Sequence, residues 1–201
     1  MLASAREHYD RQQRIARRTL LAARRARLGT LGRLTSIVVA GQLLAARDAA
    51  AAVPLMLDEQ NVEAQPVGEV DPAALAGVAS DGRPIETLLD LTRESAAGAQ
   101  MLDMIVLTQL ADAARSSSSV AMMARPAVTG YARMLVPPSC SRCAILAGAT
   151  YKKREAFQRH PRCDCRHVPV AEATAGDLTT DPRAYFDSLP VTEQERIFTK
   201  A

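Results

Sequence analysis

All four cysteines of this 201-residue chain fall in one stretch, as Cys140-x-x-Cys143 and Cys163-x-Cys165, and two of its three histidines, His160 and His167, stand beside the second pair. Two soft-ligand pairs about 20 residues apart are what a tetrahedral Zn²⁺ requires: a turn aims the first pair at one centre and the second pair closes the shell. Residues two apart on an extended segment share a face, so Cys163 and Cys165 can reach the same ion. The shell is then either the four thiolates, or three thiolates and His160. His167 continues the alternation, but further along than the same ion reaches. Two other chemistries use the same residues: disulfides, which need an oxidising compartment, and reduced thiols packed in a core.

Catalytic zinc is a weaker reading of the pattern. No H-E-x-x-H occurs, and the H-x-E with P-C-x-x-C arrangement of zinc deaminases is absent. Glu155 and Asp164 are the carboxylates near the pairs that could act as a base. The expectation is therefore a structural site and no enzymatic activity, with a zinc-dependent hydrolase as the distant alternative. A zinc-ribbon-like nucleic-acid-binding protein is the nearer one, because residues 140–167 carry seven basic residues against two acids.

The elements that must position these ligands read as mostly helical. Aromatics make up 3% of the chain and Trp is absent, so burial falls to Ala, Leu, Val, Ile and Met, which favours close-packed helices over a large sheet. The spacing predicts a helix over 3–28 and a second over 30–52, broken or kinked by Pro54. Asp71-Pro72 reads as the start of a short helix ending by Gly82. Further helices are expected over 84–97 and 99–115, with Asp103 and Asp112 off the core stripe. The run Ser116–Ser119 reads as a hinge before a short helix over 120–125. From Ala127 the pattern alternates as a strand leading to Pro137-Pro138. CAILAG reads as a helical turn capped by Gly148, with Tyr151 and Phe157 covering the metal site. A polar linker, a turn started by Pro182 and a helix from Thr192 complete the chain.

The fold class expected is α+β, predominantly α. A helical domain (1–125) precedes a small zinc-stapled α/β unit (126–170), then a linker and C-terminal helix (171–201). Charge is segmented along the chain. Residues 1–28 hold eight arginines against two acids, and residues 55–115 hold three against eleven. Arg14, Arg17, Arg18, Arg24, Arg25 and Arg27 form a basic helix surface suited to an acidic protein partner or to sequence-blind contact with DNA phosphates. No secretory signal opens the chain, and the apolar run Leu34–Ala46 is shorter than the roughly 20 residues a membrane span needs.

The cysteine stretch also resembles a known family. The runs PPSC-SRC-AILAG-xx-Y and FQRHPRCDCRHVP, and above all H-P-x-C-x-C-x-x-x-P (His160, Pro161, Cys163, Cys165, Pro169), resemble the phage Mu F-like (MuF-like) minor head proteins, of the type found in tailed phages of actinobacteria. The resemblance covers roughly residues 127–200, and only layout links the first 125. It implies a minor capsid protein inside the virion head at the portal vertex, present in the host cytoplasm during assembly. It implies the portal and head proteins as partners, several copies around the portal, non-specific contact with packaged DNA and no membrane. Such family members often have a longer chain after the segment resembling DPRAYFDSLPVTEQERIFTKA, so the resemblance also implies a C-terminal part that is missing or trimmed after Ala201.

Overall fold

The computed structural model describes residues 1–136, 139–156, 159–163, 165–171 and 181–198. Two long antiparallel helices, α1 (Ala3–Ala26) and α2 (Leu31–Glu59), pack with α3 (Ile85–Glu94) and α4 (Gly98–Met123) into a bundle. A three-stranded antiparallel sheet follows, built from β1 (Gly130–Met134), β2 (Thr150–Lys152) and β3 (Arg166–Val170) in the order β2-β1-β3. The short α5 (Ser141–Ile145) lies between β1 and β2, and α6 (Pro182–Asp187) and α7 (Val191–Phe198) close the described chain. This is the expected α+β class, predominantly helical, with a small sheet.

Apolar periodicity explains the bundle. Ala23, Leu34, Val38, Ile85, Leu89, Leu102, Val106 and Leu110 form one buried cluster contributed by all four helices. Thr30 caps α2 by accepting from the Arg33 amide at 3.3 Å. Gly41 lets α1 and α2 approach closely, since a Cβ there would lie 2.6 Å from the Thr19 side chain. By length and composition α2 could cross a membrane, although 44% of its most apolar window is buried inside this fold. Its buried residues run from Leu34 to Leu57 and face α1, α4 and the sheet, as in the core helix of a bundle.

Four readings change in the structure. Pro54 does not break α2, which runs through it to Glu59; buried Val53, Met56 and Leu57 hold the last turns against neighbours and outweigh one lost backbone hydrogen bond. The serine run is no hinge, and 120–125 is no separate helix. α4 continues through both to Met123, and Ser117 is fully buried, its hydroxyl donating to the Ala46 carbonyl at 2.7 Å. Small side chains there let α4 sit close against α2, so packing overrides a local preference for turns. The Asp71-Pro72 start opens only one 3₁₀ turn, Pro72–Leu75, with Asp71 accepting from the Ala73 amide at 2.9 Å. Asp112 is buried rather than placed away from the core. The expected linker, Pro137-Pro138 and Phe157 lie outside the described residues.

The sheet rests on the bundle with no gap in the apolar packing. One cluster joins Val53, Leu57, Ala121 and Met122 to Val128, Tyr131, Leu135 and three cysteines. Another joins Ala5, Ala52 and Met56 to Ala132, Met134, Val168 and Val170. Gly130 pairs with Lys152 and Val170, where a Cβ would meet the Tyr151 carbonyl at 2.3 Å. Pro169 is tolerated because β3 is an edge strand, and its carbonyl accepts from Gln60 at the end of α2.

Candidate metal centre

Backbone geometry aims each ligand. Cys140 precedes the first residue of α5 and its carbonyl accepts from the Ala144 amide at 2.9 Å, which turns Cys143 back onto the same side. In the second cluster, the Cys163 amide donates to the His160 carbonyl at 3.0 Å, and Arg162 has φ 64°. A β-turn with proline second and a left-handed third residue has the pattern of type II, so His160-Pro161-Arg162-Cys163 brings its two end residues to one centre. The Arg162 amide is held by Thr108 of α4 at 3.0 Å, which anchors that turn to the bundle.

Five donors result, in two groups that meet at Cys143: Cys140, Cys143 and His160, and Cys143, Cys163 and Cys165. His160 Nε2 lies 3.1 Å from Cys140 Sγ and 3.4 Å from Cys143 Sγ, and the Cys143 and Cys163 sulfurs are 3.8 Å apart. Ligands about 2.0–2.3 Å from a tetrahedral ion stand roughly 3.5–3.8 Å from one another, so the Cys143–Cys163 separation matches an edge of such a shell and the two His160 separations fall short of one. His160 Nδ1 is 2.8 Å from the Pro161 carbonyl, so an N–H donated there leaves the Nε2 lone pair facing the sulfurs. No disulfide joins the cysteines. Cys143, Cys163 and Cys165 are buried, whereas Cys140 is exposed and His160 half-buried. These residues could hold a metal.

The electrostatics fit a cation-ready site. Hydrogen bonds with Cys143 and Cys165 hold the Cys163 thiol well below the ordinary thiol range, against its burial. The bond with Cys163, then that with Cys165 and burial, push Cys143 up. The three buried sulfurs thus share protons unequally, and Cys163 is the one that draws countercharge. Arg133, 1% exposed on β1, supplies part of it, with its Nη2 3.6 Å from Cys143 Sγ and 3.8 Å from Cys163 Sγ. Burial opposes the Arg133 charge most strongly, but the hydrogen bond and charge of Cys165, with hydrogen bonds to Tyr151 and Cys143, together outweigh it and raise the pKa. From α4, Arg115 donates to the carbonyls of Cys163 and Cys165 at 3.0 and 3.2 Å and pairs with buried Asp112 at 2.5 Å. Arg115, Arg133 and Asp112 are the site residues that sequence reasoning missed. Nothing in the pattern separates a buried arginine from a solvated one.

The remaining expected residues are scattered. Asp164 and Phe157 fall outside the described residues. Tyr151 stacks on Tyr131 with centroids 5.3 Å apart, and Tyr131 in turn lies 4.3 Å from the His167 ring. His167 stands in the next layer, its Nδ1 3.4 Å from Ser119 Oγ. Burial and then Arg115 push its pKa down to about 3, which leaves it neutral. Glu155 is exposed and accepts from the Lys152 amide. On α1, Arg14, Arg17, Arg18 and Arg25 are exposed, and none has an ion pair among the described residues. Arg24 differs, being paired with Asp103 of α4, and Arg27 is half-buried.

A family model described as VG15 protein matches residues 45–189, spanning the second half of α2, α3, α4 and the whole cysteine unit. The chain belongs to the VG15 protein family, a viral gene-product family, and is in that sense a phage protein. No curated protein and no solved structure matches it.

Proposed function

We propose that this chain is a minor structural protein of a tailed-phage head, with one structural Zn²⁺ in the cysteine centre and a helical part that docks on the portal vertex from inside. The observation that carries the reading is the seating of the cysteines in a VG15 family member. Three of the four are 1–2% exposed, and Arg115 and Arg133 tie their carbonyls and sulfurs to helix and strand. A metal so enclosed staples a thin core, as structural zinc does in small units. The MuF-like resemblance of the same stretch supports the head assignment, with several copies around the portal and no membrane role. The helical part is the docking candidate because it carries the exposed arginine face of α1 and the larger surface; a standard interface needs roughly 800 Å² per partner.

The enzyme reading has one feature in its favour, the Ser119–His167 pair in a cavity. Arginines surround the ring and disfavour the imidazolium that a general base must form. The test of the head assignment is quantitative mass spectrometry of purified phage particles. Co-purification with DNA-filled heads at a few copies, and capture of residues 1–125 by assembled portal rings, is the expected result. Absence from particles would reject the assignment.

A further inference from the structure

We propose that the cavity beside the cysteine centre is a seat for backbone phosphates of nucleic acid. Its volume is ≈ 360 Å³, and its lining is Arg133, Arg142, Ile145, Leu146, Arg159 and His160, without an acidic residue among the described residues. The lining comes from β1, α5 and the turn that carries His160, so the fold gathers it from three places. A neighbouring cavity of ≈ 330 Å³ shares Arg159 and adds Lys153 and Arg154 together with Asp112 and Glu155. The two cavities share Arg159 as a lining residue, so they offer two neighbouring anion positions rather than one closed cup.

Charge accounting leaves the pair of cavities positive, the Glu155 carboxylate being offset by Lys153. Arg133 is committed to the sulfurs. Asp112 is a single carboxylate facing two guanidiniums, Arg115 at 2.5 Å and Arg159 at 3.0 Å, so one positive charge there is unmatched. Arg142 and Arg154 are exposed and have no hydrogen bond or ion pair among the described residues. Planar guanidiniums grip phosphate oxygens in pairs. Arg142 lines one cavity, Arg154 the other and Arg159 both, which suits the repeating phosphates of a nucleic-acid backbone better than one small anion. Ile145, 66% exposed at the rim, offers apolar surface to a sugar. The contact is sequence-blind, since no element is placed to read base edges. This site is separate from the α1 arginine face and does not rest on the head assignment.

The test is fluorescence anisotropy of the full zinc-loaded chain with a 20-base-pair random duplex. Three phosphate contacts predict a fall in affinity of about 40-fold between 50 and 200 mM salt. The double variant Arg142→Ala, Arg154→Ala should weaken binding at least tenfold and flatten the salt slope, with zinc content and melting temperature unchanged. Arg14→Ala, Arg17→Ala and Arg18→Ala together should stay within twofold of wild type. The reverse pattern would overturn the site. Full displacement of the duplex by millimolar inorganic phosphate at constant ionic strength would assign a small-anion pocket instead. Equal, variant-sensitive binding of polyglutamate would assign an acidic protein partner.

Discussion

The interior of the helical bundle and the interior of the cysteine unit are filled with different materials. Between α1, α2, α3 and α4 the main buried cluster is Ala, Val, Ile and Leu at helical spacing. Around the sheet they include three thiols, three arginines (Arg115, Arg133, Arg166) and His167. The first interior is stabilised mainly by removal of apolar surface from water. The second buries charge, which is costly unless each group is paired, so it depends on partners arriving from outside the strands. Those partners are the bundle, through Asp112 and Arg115, and the proposed ion. The two regions meet in clusters that cross residue 126, so loss of the ion should reach into the helices, but only at the ends that touch the sheet.

The largest effect should come from Cys143→Ser, because both donor groups pass through Cys143. Loss of the zinc and loss of hydrogen-exchange protection over the sheet, 50–59 and 118–123 are expected, with 31–45 and 98–110 still protected. Uniform loss along the chain would mean that the bundle does not stand without the sheet. Next comes Arg133→Met, which leaves the sulfurs without their nearest cation; breaking a buried charge pair in this way costs about 3–5 kcal/mol, readable by chemical denaturation. A cost below 1 kcal/mol would show that the thiols are neutral and no ion is needed.

A smaller effect separates the bundle's own polar lock. His8 Nδ1 and Gln12 Nε2 contact Asp48 Oδ2 at 2.7 and 2.9 Å, and Arg11 pairs with its other oxygen. Burial alone would raise Asp48, but hydrogen bonds from His8 and Arg11 outweigh it and lower the pKa to about 2. A depressed carboxylate stabilises the fold fully above its unfolded pKa near 3.9 and loses that contribution as pH falls towards 2. His8, lowered by burial, adds a loss as pH falls through the unfolded histidine value near 6.5. Asp48→Asn should therefore cost about 2 kcal/mol at pH 7 and flatten the melting curve between pH 4 and 2. Gly41→Ala follows, at about 1–3 kcal/mol of overpacking against Thr19, checked by thermal melting with Thr19→Ser as the rescuing partner. Least of all, reversing Arg17, Arg18 and Arg25 to Glu should change stability by under about 0.5 kcal/mol while reducing incorporation into heads.

The same contrast explains what the sequence disclosed. Helices α1, α3 and the body of α2 were legible because their cores repeat at 3.6 residues and the exposed faces are charged. The cysteine pairs were legible because spacing alone constrains four thiols. Hidden features were those in which a distant partner decides. Ser117 looks like a hinge residue until the Ala46 carbonyl is set beside it. Pro54 looks like a stop until Val53 and Leu57 are buried on the sheet. β3 carries Pro169 and two charged or titratable residues, so its strand character comes from pairing with β1 rather than from composition. Arg115 and Arg133 look solvated in sequence, and only the fold turns them towards sulfur.

The central claim is that the cysteine centre holds a structural metal ion, and elemental analysis of the reduced, purified full chain together with thiol titration tests it most directly. The account predicts one zinc per chain, with the cysteine thiols reacting only after chelation or denaturation. A metal-free chain, folded and with its exposed Cys140 thiol free in the native state and the other three releasing no metal on denaturation, would contradict it.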